Sequence, residues 1–179
     1  QAENITGSFA LAHSIGIKPD SIIRSIASHQ GLRRRMEKRL DGPITVIDDI
    51  AHSPTKAASA LSTVRKITKG KVIALFEPNT GNRQQSAAAG YAHAFKDADM
   101  IIIPRLTIIK TDKTTDVPLD GGDLTEVISK THTNTQYIDD DTMLIETLVT
   151  QAKKGDSIVF LGSHGFRGMI EELVERIKK

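Results

Sequence analysis

Ile44-Thr45-Val46-Ile47-Asp48-Asp49-Ile50-Ala51-His52-Ser53-Pro54 joins a β-branched run to a helix start. Branched side chains suit an extended, pleated backbone. Ser53 is a favoured N-cap residue, and Pro54 falls in the first helical turn, where its missing N–H costs nothing. The stretch reads as strand, polar turn and helix, the first half of a βαβ unit.

The same rhythm continues toward the carboxyl end. Ala57, Ala60, Leu61, Val64 and Ile67 share one side of the predicted helix, which stops at Lys69-Gly70. Lys71–Phe76 is the next strand. Glu77–Asn82 is a polar loop leading into a predicted helix through Tyr91 and Phe95. Met100–Ile103 is a third buried run, ended by Pro104. Residues 105–121 have no clean period and read as an excursion. A helix around Leu124–Lys130 and a short strand Gln136–Ile138 follow. Asp139–Asp141 can cap a helix carrying Met143, Leu144, Thr147, Leu148 and Ala152. Ser157–Leu161 is the last strand, and Met169, Ile170, Leu173, Val174 and Ile177 mark the terminal helix.

Upstream, Ile5, Phe9, Ala12 and His13 have helical spacing, with Gly16 as a stop. Lys18-Pro19-Asp20 opens a second helix with Ile22, Ile23 and Ile26 as its stripe and Gln30-Gly31 as its end. The basic segment Gly31–Gly42 reads as a connection. Continuous apolar strands separated by helices require a mostly parallel sheet covered on both faces. The expected fold is α/β: a Rossmann-like, doubly wound sheet from about residue 40 onward, preceded by a short helical segment.

The chain has 179 residues, no cysteine and a formal charge of +2. Disulfides and thiolate metal sites are therefore excluded. Aromatic residues are 4% of the chain, too few for base-stacking platforms, and the one tight basic cluster is Arg33–Arg35 with Lys38 and Arg39; no nucleic-acid partner is expected. No apolar run approaches the roughly 20 residues that span a bilayer, so no membrane partner is expected either. No signal peptide is visible, and a cytoplasmic setting fits best. The missing initiator Met suggests a fragment.

In a doubly wound sheet, ligands bind at the carboxyl ends of the strands. Asp48–Pro54, Glu77–Arg83 and Gly162–Gly168 occupy those ends. Asp48 and Asp49 read either as turn residues beside a solvated His52, or as a carboxylate pair binding a ribose or substrate; two carboxylates and one His fall short of a metal ligand set. Glu77–Arg83 reads either as a helix start capped by Asn82 or, through Asn79, Thr80 and Arg83, as a grip on a carboxylate or phosphate. Gly162-Ser163-His164-Gly165 reads as a tight turn or as a small-anion site. Neither a dinucleotide fingerprint nor a triphosphate-binding loop is present.

Taken in order, these segments resemble the Mur ligase family. Asn4–Ala12 with Ile15-Gly16-Ile17 is similar to the end of its central domain, and Gly31–Glu37 to its hinge. Val46–Pro54 resembles its D-D-Y-A-H-x-P signature. Phe76–Arg83 resembles the F-x-P-H-x-x-x-R stretch of the branch that adds the first amino acid to UDP-N-acetylmuramate, and its F-E-P opening equally that of the ligase that reattaches recycled murein tripeptide. Phe95–Ile101 and Gly155–Gly162 match the remaining strand entries.

The resemblance implies two parts: residues 1–32 as the helical end of the central, ATP-binding domain, and residues 33–179 as the carboxy-terminal Rossmann-like domain. It implies nucleotide-binding roles for Asn4, Arg35, Asp49 and His52, and substrate-binding roles for Asn79, Arg83, Gly162, Ser163 and His164. No catalytic or metal residue is expected within this stretch. The family's reaction phosphorylates a carboxylate with ATP and Mg²⁺, then lets an amine attack the acyl phosphate. ATP and Mg²⁺ would be held mainly by the missing central domain. UDP-N-acetylmuramate and an amino acid or peptide would be the substrates, the missing amino-terminal and central domains the partners, and the isolated piece inactive. Ile50 for Tyr, Asn79 for His and G-S-H-G for G-A-G are departures that bear on amino-acid choice more than on the nucleotide. The alternatives are a stand-alone, non-catalytic nucleotide- or anion-binding module and, less so, a folate-type amide ligase.

Overall fold

The computed structural model describes residues 2–29, 31–107 and 118–179. The helix stop read at Gln30 and most of the excursion at 105–121 lie outside the described residues. Two compact units are present, Gln1–Arg33 and Arg34–Lys179.

The first unit holds α1 (Ala2–Ser14) and α2 (Pro19–Ala27). Gly16 takes φ +89°, a left-handed conformation that ends α1 without the strain a side chain would bring. Pro19 starts α2 in the first turn. Ile22 is buried, whereas Leu11, Ile15 and Ile23 are exposed.

The second unit is a six-stranded sheet in the order β1-β2-β6-β3-β4-β5. Its strands are β1 (Glu37–Leu40), β2 (Thr45–Asp49), β3 (Val72–Glu77), β4 (Met100–Pro104), β5 (Thr135–Ile138) and β6 (Ser157–Gly162). All neighbours are parallel except β1, which pairs antiparallel with β2. The helices are α3 (Pro54–Ile67), α4 (Gly121–Ser129), α5 (Asp141–Gln151) and α6 (Met169–Lys178).

Strand side chains alternate between two cores. Ile47, Val72, Ala74, Phe76, Ile101, Ile103, Val159 and Leu161 meet Ala57, Leu61 and Val64 of α3 and Leu124 and Ile128 of α4. Val46, Ile73, Leu75, Ile102, Ile158 and Phe160 meet Leu144, Ile145 and Leu148 of α5 and Met169, Ile170 and Leu173 of α6. Each Val, Leu, Ile, Phe or Met among them that is fully buried contributes about 1.5–3 kcal/mol. The doubly wound reading holds.

Two caps act where the sequence puts them: Ser53 accepts from the Lys56 N–H and Asp140 from Met143. Asp120 and Asp123 form a reciprocal capping box at α4 that the sequence reading did not name, and the cap read at Asn82 is instead Asn79, whose side chain accepts from the Asn82 N–H. Two further readings need correction. Gly31–Gly42 is more than a connection, because Glu37–Leu40 forms edge strand β1; charged side chains protect such an edge and hide the strand signal. The helix expected through Tyr91 and Phe95 is instead two 3₁₀ segments, Thr80–Arg83 and Gln85–Tyr91. Beyond them His93 takes φ +59°, which no α-helix tolerates. Tertiary contacts favour this shape. Phe76, Tyr91 and Phe95 form an aromatic cluster, with Phe76 edge-on to both others, and Tyr91 Oη donates to the Asn82 carbonyl at 2.5 Å.

Candidate functional site

β6 lies between β2 and β3 and is followed by a connection to α6 on one face, while β2 is followed by α3 on the other. Strand order therefore reverses at β6, and the carboxyl end of that strand is where a doubly wound sheet places its ligand crevice. The loops after β2, β3 and β6 flank it, so three stretches far apart in the chain meet there.

Asp48 and Asp49 end β2 rather than lying in a turn. Asp48 is 1% exposed. Its carboxylate sits 3.3 Å from Arg34 Nε and 3.5 Å from Arg39 Nη1. Burial raises its pKa, and the two guanidiniums oppose that shift. Asp49 faces the other side of the sheet and accepts backbone N–H bonds from Met36 and Ala51, each at 2.8 Å.

Arg34 is the residue that local sequence reading missed. Besides meeting Asp48, its guanidinium donates to the carbonyls of Gly162 (2.7 Å), Ser163 (2.9 Å) and His164 (2.6 Å). The Gly162–His164 loop is thus held by its carbonyls. Arg34 and Met36 both take left-handed backbone conformations, φ +55° and +52°. Glu37 and Asp49 hold this turn by accepting from the Arg34 and Met36 N–H groups, and such strain persists only where surroundings enforce it. Between them Arg35 is exposed, with no hydrogen-bond or ion-pair partner among the described residues. The one hint in the sequence was the Arg33–Arg35 run, which does not say which arginine turns inward.

His52 is oriented by the Ile50 carbonyl, 2.8 Å from Nδ1, while Lys56 Nζ lies 3.5 Å from Nε2. A carbonyl can only accept, so Nδ1 donates to Ile50. Asn79 caps the first 3₁₀ segment, accepting from the Asn82 N–H and side-chain amide. Arg83 donates to the carbonyls of Leu119 and Thr107, both at 3.1 Å. It braces the flanks of the 108–117 segment.

Glu77 ends β3 at 1% exposure. Its Oε1 accepts from Thr107 N (2.9 Å) and Thr107 Oγ1 (2.5 Å), and Arg167 Nη1 lies 3.7 Å from Oε2. Arg167 is paired with Asp141, which also meets Arg105. These arginines hold the Asp141 carboxyl below its usual range, Arg167 most of all. Gly162 must be glycine here: a Cβ would meet the Glu77 carbonyl at 2.9 Å and Phe166 Cζ at 3.0 Å.

Asn4 belongs to the other unit. It lines a groove of about 460 Å³ together with Ile5, Ser8, Ile22, Ile26 and His29. Apolar walls with a few polar groups, at this size, suit a small ligand. Among the described residues no group of three His, Asp or Glu could hold a metal ion. No helix among them is long and apolar enough to cross a membrane.

A β2 pair of aspartates, an F-E-P loop and a glycine turn after the last strand, at one end of a parallel sheet, coincide with a known domain: residues 34–164 match the model of the Mur ligase, glutamate ligase domain. The chain belongs to the Mur ligase family. A UDP-N-acetylmuramate–L-alanine ligase of Caldicellulosiruptor saccharolyticus is 30% identical over 97% of this chain and 38% of its own length. The chain thus spans little more than a third of that relative. Among solved structures, a murein peptide ligase from Psychrobacter arcticus is 25% identical over 98% of this chain and 36% of its own, with a TM-score of 0.70. A domain from a putative UDP-N-acetylmuramate:L-alanyl-γ-D-glutamyl-diaminopimelate ligase of Haemophilus ducreyi is 25% identical, covering 80% of this chain and 99% of its own, with a TM-score of 0.58. This Mur ligase chain carries the family's carboxy-terminal domain, whose relatives are ligases of peptidoglycan synthesis.

Proposed function

We propose that this chain is the nucleotide-closing and amine-selecting part of an ATP-dependent ligase that joins L-alanine or a murein peptide to UDP-N-acetylmuramate. The observation that carries the reading is the convergence of Asp49, Arg83 and the Gly162–His164 loop on one end of a parallel sheet in a Mur ligase domain.

In this reading ATP phosphorylates the sugar-nucleotide carboxylate, and the incoming amine attacks the acyl phosphate to give an amide and inorganic phosphate. Mg²⁺, held mainly by the central domain, would neutralise phosphate charge as it develops. Arg35 supplies an unpaired guanidinium toward the nucleotide, and Asp49 an oriented carboxylate for ribose hydroxyls. His52 follows Asp49 in the same loop, its ring fixed by the Ile50 carbonyl. Asn79 and Arg83 shape the loop that faces the amine, with Gly162, Ser163 and His164 across from it. The chemical gain is alignment of amine and acyl phosphate with water kept out. Gln1–Arg33 is read as the end of the central domain, with the Asn4 groove for adenine; the exposed Leu11 and Ile15 support an origin in a larger helical layer. The reading carries a cytoplasmic setting with it.

The test is a ligation assay on the full-length protein with UDP-N-acetylmuramate, ATP, Mg²⁺ and a panel of amines, following phosphate release. The wild type turns over, and Asp49→Ala raises the KM for ATP by about tenfold or more, the loss of one charge-assisted contact. Full activity in an Asp49→Ala/Arg83→Ala variant removes the assigned roles. Nucleotide binding without turnover for any amine supports the non-catalytic module instead.

A further inference from the structure

Arg35 is exposed and has no hydrogen-bond or ion-pair partner among the described residues, yet both of its neighbours are pinned. Arg34 gives its N–H to Glu37 Oε2 at 2.7 Å, and its carbonyl accepts the Ile50 N–H at 2.8 Å. Met36 gives its N–H to Asp49 Oδ2 at 2.8 Å, and its side chain packs against the core shared with α3 and α4. Both neighbours take left-handed backbone, φ +55° and +52°, a conformation that neither Arg nor Met adopts freely. Strain of this kind persists only where other contacts enforce it, and it gathers at functional positions.

Glu37 is the contact that closes the turn. Its side chain reaches back three positions, so the ring it makes with the Arg34 N–H encloses only Arg35 and Met36. Met36 is fixed by packing, which leaves Arg35 as the one charged group between them that this bond places. Arg39 Nε stands 4.0 Å from the other Glu37 oxygen, too far for a hydrogen bond, so the Arg34 N–H is the near partner of the carboxylate. A carboxylate accepting a backbone N–H makes one of the stronger hydrogen bonds. Without it the Arg34 backbone is free to return to an ordinary φ, and the direction of Arg35 changes with it. A guanidinium held in advance loses less freedom on binding than a mobile one, and its planar fork suits the oxygens of a phosphate.

We propose that Glu37 is a positioning residue that mounts Arg35 toward the phosphates of the nucleotide, acting through the Arg34 N–H and touching no ligand itself. This rests on the nucleotide role of Arg35 proposed above. Asp49 reinforces the mount: the carboxylate read as holding the ribose also bonds the Met36 N–H, so both nucleotide contacts depend on one turn.

The test reads the affinity of the full-length protein for ATP with Mg²⁺ by calorimetry, with no other substrate present, so that no turnover is needed. Arg35→Ala is expected to weaken ATP binding about tenfold or more, the loss of one charge-assisted contact. Glu37→Ala weakens it about 3- to 10-fold, the ordering of one long side chain. Glu37→Gln keeps an oxygen for the Arg34 N–H and recovers most of that loss. The deciding variant is the double one. With Arg35 gone Glu37 has nothing to place, so Arg35→Ala/Glu37→Ala binds ATP as Arg35→Ala does, a coupling that general destabilisation would not produce. Thermal melts check folding; if Glu37→Ala is unfolded, Glu37→Asp, whose shorter carboxylate falls short of the Arg34 N–H, takes its place. Additive losses, a Glu37→Ala affinity equal to the wild type, or a Glu37→Gln as weak as Glu37→Ala overturns the mount while leaving Arg35 at the nucleotide. An Arg35→Ala affinity equal to the wild type, or no ATP binding by the wild type, removes the nucleotide role of Arg35 and the mount with it.

Discussion

Truncating Arg34 to alanine removes a guanidinium that holds together two segments about 130 positions apart and neutralises a buried carboxylate. Three carbonyls, those of Gly162, Ser163 and His164, lose their donor, and Asp48 at 1% exposure keeps only Arg39 at 3.5 Å. Breaking a buried pair by removing one partner costs about 3–5 kcal/mol; the Arg34 side chain is 26% exposed, so water recovers some of this and about 2–4 kcal/mol is expected. For a domain of this size that is a fall in Tm of roughly 5–15 °C, read by calorimetry or circular dichroism. Arg34→Lys retains a positive charge but cannot fork to three acceptors, and recovers less than half of the loss. The sharper measurement is the double-mutant cycle with Asp48→Ala. Once the carboxylate is gone, removing Arg34 costs less, so a coupling of about 1–3 kcal/mol is expected. Additive effects, or a loss below about 0.5 kcal/mol for Arg34→Ala, would refute the clasp.

Gly162→Ala places a methyl against the Glu77 carbonyl and Phe166, neither of which can yield freely, and costs about 1–3 kcal/mol in denaturant unfolding. The acid limb of stability tests Asp141, whose folded pKa is depressed by Arg167 and Arg105. A depressed carboxylate contributes stability that is fully present above its unfolded pKa of about 3.9 and is lost as pH falls through the folded value. Asp141→Asn therefore narrows the gap in Tm between pH 6 and pH 3, and an unchanged gap contradicts the assignment. Asp48 has the opposite sign, since its pKa is raised, and it does not mask this result.

Much of the α/β framework was legible because it is written in local patterns. Ser53-Pro54 and Asp140 mark helix starts by their own side-chain chemistry, and Val72–Phe76 and Ser157–Leu161 are strands because unbroken apolar runs bury on both faces. The resemblance to Mur ligases lay in the same short blocks, and the domain match bears it out. The two misread segments failed for a related reason. β1 exists only because β2 offers an antiparallel edge, and the 84–95 segment takes its shape from Phe76, Tyr91 and Phe95 packing together rather than from helical spacing.

Strand and helix alternation, the two-faced core and the family follow from the sequence alone, since each depends on residues close together in the chain. Only the tertiary structure decided what the Asp48–Pro54 stretch contains. Asp48 is a buried strand residue paired with Arg34, and Asp49 a carboxylate held by two backbone amides. The physical reason is the insertion of β6 between β2 and β3. That placement brings the Gly162 turn beside Glu77 and Arg34, through hydrogen bonds between residues far apart in the chain, which no local period encodes.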